Sequence, residues 1–328
     1  MKLLCLLLLL SSLDEKKTVK VVCPLDGHSF TAIQIIRTND WGGVDLDFCR
    51  HAYKTRPMNF YVWVCPNCAF AGKKKDFDVA LSDQAKQTLL GKLIPQTKIT
   101  KKMKQTDIAA HVKYDLLAQV KTLTNGSPLD IGRAYLGAAW TFREEGAIYL
   151  DNFDEWERVW KMYHLDRLPL ELGKKNRTDF DLDVARKLEK RLEKTKYKPL
   201  DRMLREYLVA YLYRKHGELL PTEKWITKLN DSKGENSVLD NAVSIMERSI
   251  QQEREFLKKS ASFLKKVHEG KEISNQTRGD VAYVEGEIHR RLGSFQKASH
   301  AYDQAIKISP NKALQDLATQ QKSSLPRE

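Results

Sequence analysis

Apolar and polar positions change rhythm along the chain. A run of eight apolar residues, Leu3–Leu10, follows Met1 and Lys2 and gives way to Ser11, Ser12 and the charged stretch Asp14–Lys17. Between Val19 and Asp78 the apolar residues come in short β-branched or aromatic bursts, Val19–Val22 and Phe60–Val64. Both predict strands. From Val79 onward apolar residues recur at helical spacing, as in Trp156, Val159, Trp160 and Tyr163, and again in Leu239, Ala242, Ile245, Met246 and Ile250. Such stripes are the buried seams of packed helices. The pattern predicts a mainly α protein with four segments: a leader over 1–18, a small β-rich module over 19–78, a basic linker and helix over 79–125, and helical repeats over 126–322.

Eight apolar residues are fewer than half of the roughly 20 that span a bilayer, so no transmembrane span is expected. They fit the apolar core of a secretory signal, although the usual small residues before the cut are missing. The protein is therefore expected to be exported to the periplasm, with a cytoplasmic location as the alternative.

Internal repetition organises the helical region. One copy contains Ala139, Phe142 and Gly146; a second, Ala210, Tyr213 and Gly217; a third, Gly286, His289 and Gly293. The third is the clearest, because Tyr283, Phe295, Ala298, Tyr302, Ala305 and Pro310 accompany it. Gly286 and Ala298 allow two antiparallel helices to approach, Gly293 closes the turn, Tyr302 and Ala305 fill the shared face, and Pro310 ends the second helix. This unit is similar to a tetratricopeptide repeat, with His289 in place of the usual aromatic residue. The body is accordingly expected to be tetratricopeptide-like, and an interruption is expected around Pro221.

Two cysteine turns carry the chemistry of the N-terminal module. The first reads Cys23-Pro24-Leu25-Asp26-Gly27-His28 and the second Cys65-Pro66-Asn67-Cys68. A strand ending in Cys-Pro-x-Cys makes a zinc knuckle, and two facing knuckles complete a tetrahedral site. The expected ligands of a structural Zn2+ are Cys23, Cys65, Cys68 and one of Asp26 or His28, between which the spacing does not choose. Cys49 and His51 are reserve ligands. The thiols could instead form disulfides, or Cys65 and Cys68 a redox pair, although Ala69–Lys73 is a poor start for the helix that a thioredoxin-like motif needs. Asp45 and Asp47 have no nucleophile or third acid beside them. They are read as turn and helix-start residues that position Phe48 and Tyr53.

These residues, together with Asp45-Leu46-Asp47-Phe48, Pro57, Tyr61–Ala71 and Asp76-Phe77, resemble a bacterial family, domain of unknown function 2225. In that family a cysteine-knuckle module precedes helical repeats. The resemblance implies this architecture and no reaction. It also implies a second Cys in the first knuckle, which is Asp26 here.

Composition changes the picture in one respect. The chain has 328 residues, 56 Lys+Arg against 43 Asp+Glu and a net charge of +13, with 16 Gly and 10 Pro. The low Gly and Pro content excludes collagen-like and linker-like chains. A basic excess suggests a nucleic-acid partner, yet the knuckle module holds 8 basic and 6 acidic residues, and the stretch Lys73–Lys104 alone holds nine Lys and three Asp. The excess thus lies on the linker and helices. No phosphate-binding Gly loop, Gly-x-Ser-x-Gly or His-Glu-x-x-His motif is present. The leading expectation is a non-catalytic scaffold whose stacked helix pairs hold a protein or peptide partner on their concave face. An exported thiol–disulfide oxidoreductase using Cys65 and Cys68 is the alternative, and a nucleic-acid-binding zinc ribbon is a weaker one.

Overall fold

A computed structural model describes residues 15–38, 43–52, 56–146, 157–158, 161, 163, 177–232, 234, 237–270 and 273–326. The apolar run of the leader, Tyr53, and three members of the first aromatic stripe (Trp156, Val159 and Trp160) lie outside the described residues. The fold is mainly α with a small β region at its N-terminal end. Two compact units alternate along the sequence. The first takes Met1–Gly42, Arg50–Thr141 and Phe256–Gly270; the second takes Gly43–Cys49, Phe142–Glu255 and Lys271–Glu328. No helix among the described residues is long and apolar enough to cross a membrane.

In the first unit, β1 (Glu15–Val22) pairs antiparallel with β2 (Ser29–Arg37), in a register that sets Val22 opposite Ser29 and Thr18 opposite Ile33. Glu15–Thr18, expected in the leader, is therefore the start of a strand. Val21 and Ala32 are buried against Trp63, with Val19, Phe30 and Phe77 packed around them. Alternation does this, since every second side chain of a strand falls on the same face. Strand β3 (Gly43–Val44) opens the short segment that belongs to the second unit, and β4 (Arg50–His51) returns the chain to the first.

The expected strand over Phe60–Val64 is corrected. Pro57, at φ −60°, starts a four-residue helix, α1 (Met58–Tyr61), and only β5 (Trp63–Val64) pairs, antiparallel, with β6 (Ala71–Gly72). Proline's fixed φ suits a helix start, which here overrides the β propensity of the aromatic residues.

The stretch 79–125 is more than a linker. After α2 (Lys74–Phe77) come α3 (Asp83–Leu89) and α4 (Ala110–Leu123), and Leu89 and Val120 join Cys23, Leu25, Cys65 and Phe70 in one core cluster. The lysines of this stretch lie around apolar residues that point inward, which is how a basic segment folds onto a module. Helix α5 (Pro128–Gly146) follows, and Gly137 passes the ring of Tyr114.

The second unit is helical: α6 (Arg177–Lys194), α7 (Pro199–Lys215), α8 (Leu219–Asp231), α9 (Ser237–Leu264, whose last turns belong to the first unit), α10 (Asn275–Arg291), α11 (Phe295–Ile308) and α12 (Lys312–Ser323). Pro221 sits in the first turn of α8, a position where its missing N–H costs nothing. The stripe at Leu239, Ala242, Met246 and Ile250 is buried along α9. Helices α10 and α11 form an antiparallel pair with Ala282, Tyr283, Ala298, Tyr302 and Ala305 buried between them and α12. A Cβ on Gly286 would stand 2.5 Å from the ring of Tyr302. The close approach expected at Gly286 is present, and its partner across the pair is the aromatic ring.

Candidate metal centre

Two short hairpin turns, built alike, bring the thiols together. At the first, Cys23 N–H donates to the His28 carbonyl at 2.9 Å and Gly27 N–H to the Cys23 carbonyl at 2.9 Å; at the second, Cys65 N–H donates to the Phe70 carbonyl at 2.8 Å and Ala69 N–H to the Cys65 carbonyl at 2.9 Å. The residue four beyond each leading cysteine takes a left-handed backbone, Gly27 at φ 72° and Ala69 at φ 62°. That reversal turns residues three beyond the leading cysteine, Asp26 and Cys68, back toward it.

The result is a group of four donors, Cys23, Asp26, Cys65 and Cys68, whose ligand atoms all lie within 4.8 Å of one another and which can hold a metal ion. Cys23 Sγ is 3.5 Å from Cys68 Sγ, and Cys65 Sγ is 3.6 and 3.7 Å from the two oxygens of Asp26. Cys23 and Cys65 are fully buried, and Asp26 is the most exposed of the four. The structure thus brings Asp26 to the group and leaves the His28 ring out. His28 contributes its backbone N–H, which donates to Asp26 Oδ1 at 2.9 Å, while Asn67 Nδ2 donates to Oδ2 at 2.7 Å. These bonds orient the carboxylate as outer-shell partners orient metal ligands. Cys49 is a buried free thiol, and neither it nor His51 belongs to the group.

The electrostatics favour one anionic sulfur at a time. Hydrogen bonds from Cys23, then from Cys68, pull the Cys65 thiol far down, to about 3. Cys23 is pushed up to about 12 by its bond to Cys65 and by burial, and Cys68 is pushed up by its bonds to Cys23 and Cys65. Three thiols packed this closely, two of them buried, cannot all ionise together without a cation among them. Burial alone would raise Asp26, but the His28 N–H, Asn67 and the neighbouring thiols outweigh it and hold the carboxyl at about 2.

A second cluster, within the second unit, was missed as a site by sequence reasoning. Asp45 and Asp47 lie in a turn, as expected, where the Asp45 carbonyl accepts from Phe48 N–H at 2.9 Å and Asp47 Oδ1 from Cys49 N–H at 3.4 Å, but they start no helix; they are buried and hold guanidinium groups. Arg143 Nη1 donates to Asp45 Oδ2 at 2.8 Å, Arg143 Nη2 to Asp47 Oδ2 at 2.7 Å, and Arg143 Nε to Glu253 Oε1 at 3.2 Å. Arg214 donates to the other oxygen of Glu253, Arg291 pairs with Asp47 at 2.8 Å, and the His216 ring lies between Asp45 (2.7 Å) and Asp181 (3.0 Å). Phe48, at φ 68°, packs its ring 5.1 Å from that of Tyr283. The signal for two of these arginines was in the repeat: Arg143 and Arg214, like Arg290, each follow the aromatic position of one copy, three residues before its glycine, whereas Arg291 lies one position outside that register. Arg290 forks onto Glu218 at 2.7 and 2.8 Å. The same register thus aims three cations at carboxylates that are buried or half-buried.

No curated protein and no solved structure matches the chain. A family model does, over residues 16–253, which includes both cysteine turns and the helices through most of α9. With most of its length covered, knuckles and helices together, the chain belongs to the family described as "Uncharacterized protein conserved in bacteria (DUF2225)".

Proposed function

We propose that the protein is a non-catalytic interaction scaffold, with a structural zinc ion held by Cys23, Asp26, Cys65 and Cys68 and tetratricopeptide-like helix pairs offering a surface to a protein or peptide partner. The convergence of the four donors carries this reading. A tetrahedral zinc site with Zn–S of about 2.3 Å and Zn–O of about 2.0 Å has edges of about 3.5–3.8 Å, the size of the separations of 3.5, 3.6 and 3.7 Å here. When bound, the cation compensates the thiolates and joins the two hairpins, supplying stability that a small β module lacks. The α10–α11 pair, with Gly286 against Tyr302, supports the repeat reading, since stacked pairs of this kind present a concave binding face. Export of the chain is part of the same proposal; there the ion would also shield the thiols from oxidation. Fractionation of tagged protein tests it.

Elemental mass spectrometry of the purified full-length chain tests the centre. About one zinc per chain is expected, with most of it lost in Cys65→Ser and in Asp26→Ala. Protein without zinc, whose thiols can be alkylated only after reduction, sinks the reading.

One observation favours a second reading, thiol–disulfide exchange through Cys65 and Cys68: the Cys65 thiol is strongly acidified, as attacking thiols are. Against it, Cys65 is fully buried. Insulin reduction separates the two. A scaffold is inactive with or without Cys68→Ser, whereas an oxidoreductase is active and loses that activity in the variant.

A further inference from the structure

Strand β2 has one partner among the described residues, β1. Its other edge runs away from the first cysteine turn. Which backbone groups that edge presents follows from the register. Cys23 N–H donates to the His28 carbonyl, so the pair Cys23/His28 is hydrogen-bonded across the hairpin, and bonded and non-bonded pairs then alternate. Val22/Ser29, Lys20/Thr31 and Thr18/Ile33 fall on the non-bonded positions. Ser29, Thr31 and Ile33 therefore turn their N–H and C=O groups outward. Ile33 bears this out, because its carbonyl accepts Trp63 Nε1 at 3.0 Å, a bond it could not make while facing β1. Farther along, the edge is covered in this way; at Ser29 and Thr31, both exposed, it is open.

A groove of about 540 Å³ lies along that open stretch. Its other wall is the segment Lys101–Thr106, held in place by Gln105, whose side chain accepts from Val64 N–H at 2.9 Å and donates to the Val64 carbonyl at 2.6 Å. Phe30, Ile33, Pro66 and Met103 make the lining partly apolar, and its charged side chains are Lys101 and Lys104. Both lysines are exposed, and no acidic residue lines the groove among the described residues.

We propose that this groove binds an extended acidic segment of a partner protein, which adds as a third strand to the edge of β2. The outward amides of Ser29 and Thr31 would pair with the incoming backbone, and alternate acidic side chains of the segment would meet Lys101 and Lys104. Main-chain pairing supplies affinity in such strand addition and side-chain pockets supply selectivity. The lysine wall sets the sign of the partner's charge and makes association sensitive to salt. This surface lies in the first unit, apart from the helix pairs of the proposed scaffold.

The probe is a fluorescein-labelled octapeptide of alternating aspartate and valine, titrated into the full-length chain, beside a copy N-methylated on alternate amides. Saturable binding of the first peptide is expected, at least about tenfold weaker for the methylated copy and for Lys101→Glu/Lys104→Glu. Slowed hydrogen exchange at the Ser29 and Thr31 amides is expected with the peptide bound. Equal affinity for the methylated copy, unchanged exchange at these amides, or no binding up to about 1 mM would overturn the proposal. Saturable binding of a ten-nucleotide oligothymidine, displaced by none of the peptide, would assign the groove to nucleic acid and overturn it as well. Zinc content measured on the same samples keeps the two proposals apart: peptide binding by metal-free protein would leave this one standing without the metal centre.

Discussion

Arg143 shows how much a single side chain can hold. It is fully buried and bonds Asp45, Asp47 and Glu253, so both aspartates serve as counter-ions, not as helix starts. A buried ion network of this kind adds little net stability over an apolar core, but removing one side strands the other in a medium that cannot solvate it. Asp47→Asn is therefore expected to destabilise the protein by about 3–5 kcal/mol, read from denaturant unfolding; a midpoint unchanged from wild type would show that Arg143 has other means of compensation. The aspartates stood out in the sequence, whereas their partners Arg143 and His216 lie 96 and 171 residues away. Separation of that order has no local signature. At the cysteine turns the reverse holds. The Cys-Pro pattern announced both turns, and the choice between Asp26 and His28 fell to the left-handed residue Gly27, which turns the chain after Asp26 and leaves His28 on the strand side with its N–H toward the carboxylate.

Elements were legible wherever the period was clean. The stripe along α9 and the turn glycine between α10 and α11 appear as their spacing predicts, since a helix repeats every 3.6 residues whatever it packs against. The strand expected at Phe60–Val64 failed because Pro57 starts a helical turn there, and only the cross-strand partner Ala71–Gly72 decides where pairing begins. The α10–α11 pair rests on the space above Gly286. An added methyl would lie 2.5 Å from Tyr302, whose hydroxyl is tied to Glu287 at 2.6 Å, so the ring cannot simply swing aside. Gly286→Ala is expected to cost about 1–3 kcal/mol, seen as a melting temperature several degrees lower. An unchanged melting temperature would mean that the two helices can part without loss.

For the whole molecule, the buried carboxylates predict how it responds to acid. Burial alone would raise Asp47, but Arg143 and then Arg291 hold it at about 2, and Lys215 and His216 likewise draw Asp181 below the ordinary range against its burial. A carboxylate whose folded pKa lies below the unfolded value of about 3.9 contributes stability that is present above that value and lost as pH falls through the folded one. Stability is thus expected to fall steeply between about pH 4 and pH 2, with Asp47 alone accounting for about 2 kcal/mol; Asp47→Asn should flatten that part of the profile, and a variant as acid-sensitive as the parent would refute the assignment. By itself the sequence determined what depends on neighbours along the chain: two cysteine turns, helical stripes, turn glycines, and an apolar pattern that makes the fold mainly α. Tertiary structure alone decided which donors meet, that Leu89 and Val120 of the basic stretch cover the knuckles, and that the arginine repeated after each aromatic position closes on carboxylates from elsewhere in the chain. The reason is physical: periodicity is set by backbone geometry within a few residues, whereas pairing a buried charge or completing a four-donor site requires groups that only the folded chain brings within reach.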